Sequence, residues 1–275
     1  MEICIKLGKQ EEIDALSVYK GPFKSYEIPS KYLKINRKTL KSLKKYGYHF
    51  NVHGLNEYTN KTSAELIRRT CRYLELADDI ECSNYVLHGL VWDGISKNDK
   101  KEQITCTENA LSEIVGHSSK FSVKCLVENG TFIDSGVEKR NEVHSSPLNH
   151  ISICKKLDVG MVVDIGHLLV TTYWQKHKIR ETVNYYLTNT KNIAVVHLSD
   201  NLLKSDDHMG LGEGKADLKI YENLINYCKN AVFTIETFPN GIYKSLCWLI
   251  KQNGNEYSIK EAEELCGLMK WKSGC

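Results

Sequence analysis

Short apolar runs alternate along this chain with longer segments that repeat their apolar residues at helical spacing. The runs are mostly uninterrupted, as expected of parallel strands that are buried on both faces. Eight of them lie at residues 3–7, 25–29, 48–54, 84–90, 122–130, 160–169, 193–200 and 231–238. Eight helical patterns follow them, at 11–19, 37–47, 63–79, 104–120, 147–158, 180–191, 218–230 and 241–252, and another lies at 258–271.

Eight strand–helix units predict an α/β protein with a closed (β/α)8 TIM barrel and an added C-terminal helix. The 275 residues suit this fold, because a single barrel of this kind commonly takes about 250 residues. The first two units are shorter than the others. No linker or low-complexity segment interrupts the chain, so residues 1–275 are predicted to form one domain.

Composition places few limits on the partners of this protein. The net charge of +3 permits a nucleic-acid partner without requiring one. No apolar run approaches the roughly 20 residues of a membrane span, and the N-terminus lacks a signal peptide. None of the ten cysteines forms a C-x-x-C motif, and several lie within apolar strands or helices. We therefore expect reduced thiols in an intracellular compartment (cytoplasm or nucleus) and no secretion, with a specialised disulfide left open.

Ligand-type side chains follow the predicted strands, at the end of the barrel where such folds carry their chemistry. Six consecutive strands end on His53, His88, Glu128, Asp164, His197 and Glu236. His167 comes three residues after Asp164, and Asp206 and His208 lie in the loop after the seventh strand. Nine such residues should therefore meet at one rim. The remaining histidines are predicted to be surface or hydrogen-bonded structural residues: His49, His117, His144, His150 and His177.

This rim predicts a metal cluster. One buried histidine is usually a core residue, but several unpaired carboxylates would repel one another and would each cost several kcal/mol to bury. Imidazole together with carboxylate suits zinc, with manganese or iron as alternatives. Nine ligands, at about four per ion with some bridging, suit two or three ions. Such a cluster favours phosphate-ester hydrolysis, because one metal pair can activate water while a further ion stabilises the leaving oxygen.

The motifs around these residues resemble the endonuclease IV family of apurinic/apyrimidinic endonucleases, which are zinc-dependent TIM barrels of DNA repair. The resemblance covers residues 48–238 through NVHG, YVLHG, VENG, VVDIGH, VVHLSD, DDHMGLGEG and TIET. It implies three zinc ions per chain, with Mn²⁺ as an alternative at one position. The implied ligands are His53, His88 and Glu128 for the first ion, the bridging Glu128 with Asp164, His197 and Glu236 for the second, and His167, Asp206 and His208 for the third.

The resemblance also implies an activity, with Glu128 and Glu236 as the catalytic residues. A water between the first two ions would attack the phosphate 5′ to an abasic site in duplex DNA, and Glu236 would help to orient it. The products would be a 3′-hydroxyl and a 5′-deoxyribose phosphate. The expected partner is double-stranded DNA with abasic sites, and the expected state is a monomer.

The loops depart from the family in ways that leave DNA contacts open. The family tends to carry Gly-Ser-His where GLVWDG follows His88, a more Gly-rich loop where GTFIDSG follows Asn129, and often Arg at Asp207. Tyr58 is the candidate wedge residue, with a packed loop tyrosine as the alternative.

Three further features have a functional and a structural interpretation. Gly212 and Gly214 in the LGEG turn could offer backbone N–H groups to a phosphate or only shape the loop. The basic run from Lys31 to Lys45 could hold phosphates, but its helical spacing favours a solvated outer face. Asn129 and Asp200 are predicted to orient the ligands.

Two alternatives compete with the nuclease hypothesis. A single-metal sugar isomerase or epimerase on the same barrel would resemble this chain only in Glu128, Asp164, His197 and Glu236. A degenerate barrel used as a binding module would be expected to have lost at least one of the nine ligands. Metal stoichiometry separates the two enzymes, since three ions per chain favour the nuclease and one favours the isomerase.

Overall fold

The computed structural model of this chain describes residues 1–55, 63–88, 100–135, 139–253 and 257–271. The strands are β1 (Glu2–Lys6), β2 (Ser25–Pro29), β3 (His49–His53), β4 (Asn84–Leu87), β5 (Lys124–Glu128), β6 (Phe132–Asp134), β7 (Lys139–Asn141), β8 (Gly160–Asp164), β9 (Ile193–Leu198) and β10 (Val232–Ile235). The helices are α1 (Gln10–Ala15), α2 (Leu33–Lys44), α3 (Ser63–Asp79), α4 (Lys100–Ser118), α5 (Pro147–Leu157), α6 (Ile165–Gln175), α7 (Ile179–Asn189), α8 (Lys219–Tyr227), α9 (Pro239–Asn253) and α10 (Ile259–Leu268). Two 3₁₀ turns, Ser30–Tyr32 and Val143–Ser145, precede α2 and α5.

Eight parallel strands close into the predicted barrel, in the order β1-β10-β9-β8-β5-β4-β3-β2. The closing pair is β1 with β2, in which Lys6 lies opposite Glu27. Helices lie between successive strands, and α10 is the added C-terminal helix. The prediction of a (β/α)8 TIM barrel with a C-terminal helix is therefore confirmed.

Two local features differ from the sequence prediction. The run predicted as a strand over 160–169 leaves the sheet at Asp164, where α6 begins, because the Asp164 side chain accepts a hydrogen bond from the His167 backbone N–H. This N-cap places His167 in the first turn of the helix. The loop after β5 contains a short antiparallel hairpin, β6–β7, in which Ile133 lies opposite Arg140.

The side chains that point into the barrel form two layers, because successive residues of a strand face opposite sides. Below the mouth, four strands contribute apolar residues that pack as one small cluster: Val86, Leu126, Val162 and Val195. The other four strands contribute buried residues with polar atoms at the corresponding positions: Cys4, Ser25, Asn51 and Thr234. The outward-facing residues of the strands belong to a larger core shared with the helices. The residue two positions after each member of this lower layer faces the mouth.

Cysteines and helices agree with an ordinary barrel protein. The nine cysteines within the described ranges are all free thiols. Of the helices described here, none combines the length and the apolar character that a membrane crossing requires.

Candidate metal centre at the mouth of the barrel

The last residues of the barrel strands meet in a buried cluster of carboxylates and imidazoles. Glu128 lies at its centre and is fully buried. Its Oε1 atom is 3.0 Å from His197 Nδ1, and its Oε2 atom is 3.1 Å from His88 Nδ1. His167 Nδ1 lies 3.7 Å from Glu128 Oε1. One carboxylate therefore touches three of the predicted histidine ligands.

His197 faces the other carboxylates of the predicted second metal position. Its Nδ1 atom lies 2.6 Å from Glu236 Oε2 and 3.6 Å from Asp164 Oδ2. Glu128, Asp164, His197 and Glu236 each offer one ligand atom, and these four atoms all lie within 4.8 Å of one another. The residues predicted for the second ion are therefore brought together.

The predicted first metal position is also assembled. His53 and His88 are buried, and His88 Nε2 lies 2.9 Å from His53 Nδ1 and 3.2 Å from His53 Nε2. Together with Glu128 they again offer three ligand atoms within 4.8 Å of one another. Both sets use Glu128, as the predicted bridge requires.

The predicted third position is more open. His167 Nε2 and His208 Nε2 each lie 3.4 Å from the same oxygen, Asp206 Oδ2. The His208 side chain is 24% exposed, whereas His167 and Asp206 are more buried. The three side chains are neighbours, but their ligand atoms do not form a tight set like the other two.

Buried oxygens without hydrogen bonds show that a cation fits this site. Among the described residues, Glu128 Oε2, Asp164 Oδ2, Glu236 Oε2 and Asp206 Oδ1 are buried and accept no hydrogen bond. Buried polar atoms are normally paired, and leaving one unpaired costs about 1–3 kcal/mol. The nearby imidazole nitrogens come close to these oxygens without bonding to them, as ligands that surround a common ion do. Nitrogen and carboxylate ligands of this kind suit zinc.

The electrostatics of the cluster depend on what each histidine faces. Burial alone would lower the pKa of His197, but Glu27, Glu236 and Glu128 raise it well above its ordinary value. Burial also opposes the charge on His208, yet Asp206 raises its pKa to about 9. His88 behaves in the opposite way, because burial and the neighbouring His53 hold its pKa well below the ordinary value.

Two residues of the mouth were not predicted, Lys6 and Glu27. Lys6 is the last residue of β1, and Glu27 lies in the middle of β2. Both side chains face the barrel interior. The Lys6 ammonium forms an ion pair with Glu236, and the fully buried Glu27 contacts His197. Burial raises the pKa of Glu236, but Lys6 and His197 outweigh it and hold that pKa well below its usual range. The alternation in EICIK and SYEIP would have placed both residues inside the barrel.

Asn129, one of the two predicted orienting residues, contacts two of the predicted ligands. Asn129 Nδ2 donates to the Asp164 carbonyl oxygen, and Asn129 Oδ1 accepts from the Asp164 N–H. The His167 Nδ1 atom lies 2.7 Å from the Asn129 carbonyl oxygen. Asn129 thus fixes the backbone of one predicted ligand and the ring of another.

The Asp200 carboxylate binds the backbone of the LGEG turn, residues 211–214. The N–H groups of Gly212 and Gly214 both donate to Asp200 Oδ2, at 3.1 and 3.0 Å. These donors are already used within the protein, so the proposed offer of backbone N–H groups to a phosphate is not supported and the turn shapes the loop. A Cβ at Gly214 would also collide with Asp200.

The remaining predicted DNA contacts receive no support. Tyr58 lies outside the described residues. In the basic run, Arg37 and Lys41 pair with Asp79 at the end of α3. This arrangement agrees with a solvated outer face of α2.

Four of the other five histidines are of the expected structural or surface kind, and His144 differs because both of its buried ring nitrogens lack a hydrogen bond. His49 and His177 are exposed, and His117 pairs with Glu75. His144 and His150 are fully buried behind β5. Burial lowers the pKa of His144 to about 3 and that of His150 to about 4.

Residues 10–262 match the family model described as a xylose isomerase-like TIM barrel. The chain belongs to this family. The family includes endonuclease IV, so the predicted resemblance is supported at this broader level. No curated protein matches the sequence.

Several solved structures of similar fold cover almost the whole chain. A D-tagatose 3-epimerase-like protein has 20% identity and a TM-score of 0.69, with 97% of this chain and 98% of that chain covered. The IOLI protein with a bound zinc atom has 16% identity and a TM-score of 0.67, with both chains fully covered. The TTHB071 protein from Thermus thermophilus, soaked with ZnCl2, has 16% identity and a TM-score of 0.64, with 94% and 99% covered. At these identities the similarity establishes the fold.

Proposed function

We propose that this chain is a metal-dependent isomerase or epimerase that moves a proton at a carbon beside the carbonyl of a small, sugar-like substrate. The observation that carries the proposal is the placement of Glu128 and Glu236. Their carboxylates approach the same nitrogen, His197 Nδ1, and so border a single metal position. Proton transfer beside a carbonyl needs a base and an acid within reach of the same carbon.

A cavity beside this metal position has the size of a small-molecule site. It measures about 350 Å³ and is lined by Lys6, Glu236, His208, Phe238 and Pro239 among others. Ligand sites commonly measure about 300–1,000 Å³ and combine apolar walls with a few polar groups. Phe238 and Pro239 supply the apolar wall, while Lys6 and His208 supply polar groups for substrate oxygens.

The chemistry divides among a few side chains. Glu128, Asp164, His197 and Glu236 would hold a divalent cation, which when bound would polarise the substrate carbonyl. One of the two glutamates takes the proton from the carbon, and the other returns a proton to that carbon or to its neighbour. The Lys6 ammonium donates a hydrogen bond to a substrate oxygen. One proton leaves and one is returned, so no external oxidant or reductant is needed.

The names of the structural neighbours favour the same class. D-tagatose 3-epimerase-like, D-psicose 3-epimerase and 3-keto-D-glucoside 4-epimerase proteins share this fold with the chain. These names support a sugar-type substrate for the barrel type and leave the individual sugar open.

An abasic-site endonuclease is the second candidate. A single-metal isomerase does not need His53 and His88, yet these residues and Glu128 form a second ligand set. The neighbouring His167, Asp206 and His208 add to the resemblance with a trinuclear site. If this alternative is correct, the chain binds three zinc ions and cuts DNA.

Isotope exchange distinguishes the two candidates. The zinc-reconstituted chain is incubated in D2O with ketopentoses, ketohexoses and their phosphates, and NMR is used to detect deuterium at the carbon beside the carbonyl. We expect exchange with at least one sugar, a loss of exchange in Glu236→Gln, and normal exchange in Glu108→Gln, which changes a glutamate distant from the mouth. Three zinc ions per chain, nicking of an abasic duplex and no deuterium in any sugar would reject the proposal in favour of the nuclease.

A further inference from the structure

Glu27 contacts the candidate metal centre on a side where neither candidate function gives a role to any residue. It lies in β2 and is fully buried. Its carboxylate reaches across the barrel to β9, where Glu27 Oε2 lies 3.1 Å from His197 Nε2. The other nitrogen of the same ring, Nδ1, faces Glu128 and Glu236. The two sides of the His197 ring therefore have different neighbours.

The contact with Glu27 determines which His197 nitrogen can bind a cation. Both ring nitrogens lie within hydrogen-bond distance of a carboxylate oxygen, Nδ1 at 3.0 Å from Glu128 Oε1 and Nε2 at 3.1 Å from Glu27 Oε2. An ionised carboxylate only accepts hydrogen bonds, so when a cation takes the place of the Nδ1 contact, the proton of a neutral His197 ring belongs on Nε2. The lone pair is then left on Nδ1, which faces the predicted metal ligands. A histidine that binds a metal commonly donates its other N–H to a carboxylate, which fixes the tautomer and orients the ring.

The geometry points to Glu27 as a positioning residue that holds His197 with its Nε2–H toward β2 and its Nδ1 lone pair toward the metal position. The inference rests on the metal position of the proposed function, but it does not depend on which substrate is used.

Glu27 could instead act as a ligand, since Glu27, His53, His197 and Glu236 also bring four ligand atoms within 4.8 Å of one another. Lys6 argues against this role. Its ammonium already contacts Glu236 Oε1, and it lies opposite Glu27 in the β1–β2 pairing. A divalent cation between Glu27 and Glu236 would face this positive charge at short range. Lys6 therefore supplies positive charge on this side of the mouth, where Glu27 Oε1 and Glu236 Oε2 are buried without a hydrogen bond.

Zinc binding without substrate tests the inference. The affinity of the full chain for zinc is measured by competition with a chelator, and bound zinc is counted by elemental analysis. We expect Glu27→Ala to weaken binding by about 10–100-fold with the number of zinc ions unchanged. Glu27→Gln should lose less, because its amide oxygen can still accept the Nε2–H without the added strength of a charge. Glu108→Gln, which changes a glutamate of α4 that pairs with Lys156, is the control and should bind zinc like the wild type.

Isotope-labelled cadmium supplies a readout that a general loss of packing would not change. With ¹¹³Cd in place of zinc and ¹⁵N-labelled histidine, we expect a cadmium coupling to His197 Nδ1 and a proton on Nε2 in the wild type. Coupling to Nε2, wild-type zinc affinity in Glu27→Ala, or the loss of one zinc with the others bound normally would each overturn the inference.

If Glu27→Ala does not fold, Glu27→Gln decides, and wild-type zinc affinity in that variant would overturn the inference. A weakened zinc site in a protein that exchanges no sugar protons would instead reject the proposed function and leave the role of Glu27 intact.

Discussion

The two halves of the barrel interior differ below the mouth. In the apolar half, formed by β4, β5, β8 and β9, the mouth residues His88, Glu128, Asp164 and His197 stand above Val86, Leu126, Val162 and Val195. In the polar half, formed by β10, β1, β2 and β3, the mouth residues Glu236, Lys6, Glu27 and His53 stand above Thr234, Cys4, Ser25 and Asn51. The polar half also has hydrogen bonds below the mouth, as from Asn84 Nδ2 to Asn51 Oδ1.

This difference in polarity determines on which side of the mouth a metal ion is needed to balance buried negative charge. Glu128 and Asp164 are fully buried above an apolar layer, where a low dielectric makes unpaired charge costly. The polar half carries its own cation, because Lys6 pairs with Glu236. We infer that the metal position lies toward the apolar half, with Glu236 reaching it from across the barrel. The following predictions test this asymmetry.

The largest effect is expected at Glu128. Glu128→Gln removes a predicted ligand, one of the two acid/base groups, and the only carboxylate described that lies within 4 Å of His88. Turnover in the exchange assay should fall about 10³–10⁴-fold, and zinc affinity should fall more than in Glu236→Gln, whose carboxylate is also balanced by Lys6. Equal zinc affinities in the two variants would contradict the asymmetry.

A smaller effect is expected from Lys6→Met, which removes the lysine partner of the buried Glu236 and leaves this carboxylate beside His53 and His197. Losing one member of a buried ion pair costs about 3–5 kcal/mol, so the metal-free protein should unfold at lower urea concentration. Zinc should restore much of this loss, because it supplies the missing positive charge. Lys156→Met breaks the more exposed pair with Glu108 and should cost less than about 1 kcal/mol. Equal destabilisation in the two variants, or no recovery with zinc, would show that Lys6 does not balance Glu236.

The sequence predicted the apolar half better than the polar half. Uninterrupted runs such as YVLHG and VVDIGH end on a ligand-type residue, and a charged residue directly after a buried strand is costly enough to indicate a function. In ICIKL and SYEIP, Lys6 and Glu27 lie within or at the end of short runs that were interpreted as ordinary strands. Only the alternation along the strand distinguishes their inward position.

Other differences depended on contacts that a single sequence does not contain. The early start of α6 depends on Asp164 accepting the His167 N–H, so a residue predicted as a ligand also ends its strand. The Asp200 carboxylate accepts hydrogen bonds from four backbone N–H groups of the loop after β9, those of Asn201, Gly212, Gly214 and Ala216. These contacts favour the interpretation in which the turn only shapes the loop. The prediction of the endonuclease IV family is supported only at the level of the broader barrel family, because similar ligands at the strand ends serve several reactions on one fold.

The smallest effects should come from two substitutions that each change the polarity of one side chain in a lower layer of the barrel interior. Val195→Thr places a hydroxyl in the apolar cluster with Val86, Leu126 and Val162, where it would lack a partner. This should lower the free energy of unfolding by about 1–3 kcal/mol, measured by urea unfolding of the metal-free protein. Thr234→Val makes the reverse change in the polar half, where the buried Thr234 hydroxyl has no hydrogen bond to lose, and should alter stability by less than about 1 kcal/mol. Valine and threonine have nearly the same shape, so similar losses of unfolding free energy in both variants would show that the two lower layers do not differ in polarity. The metal position would then have no reason to lie toward the apolar half.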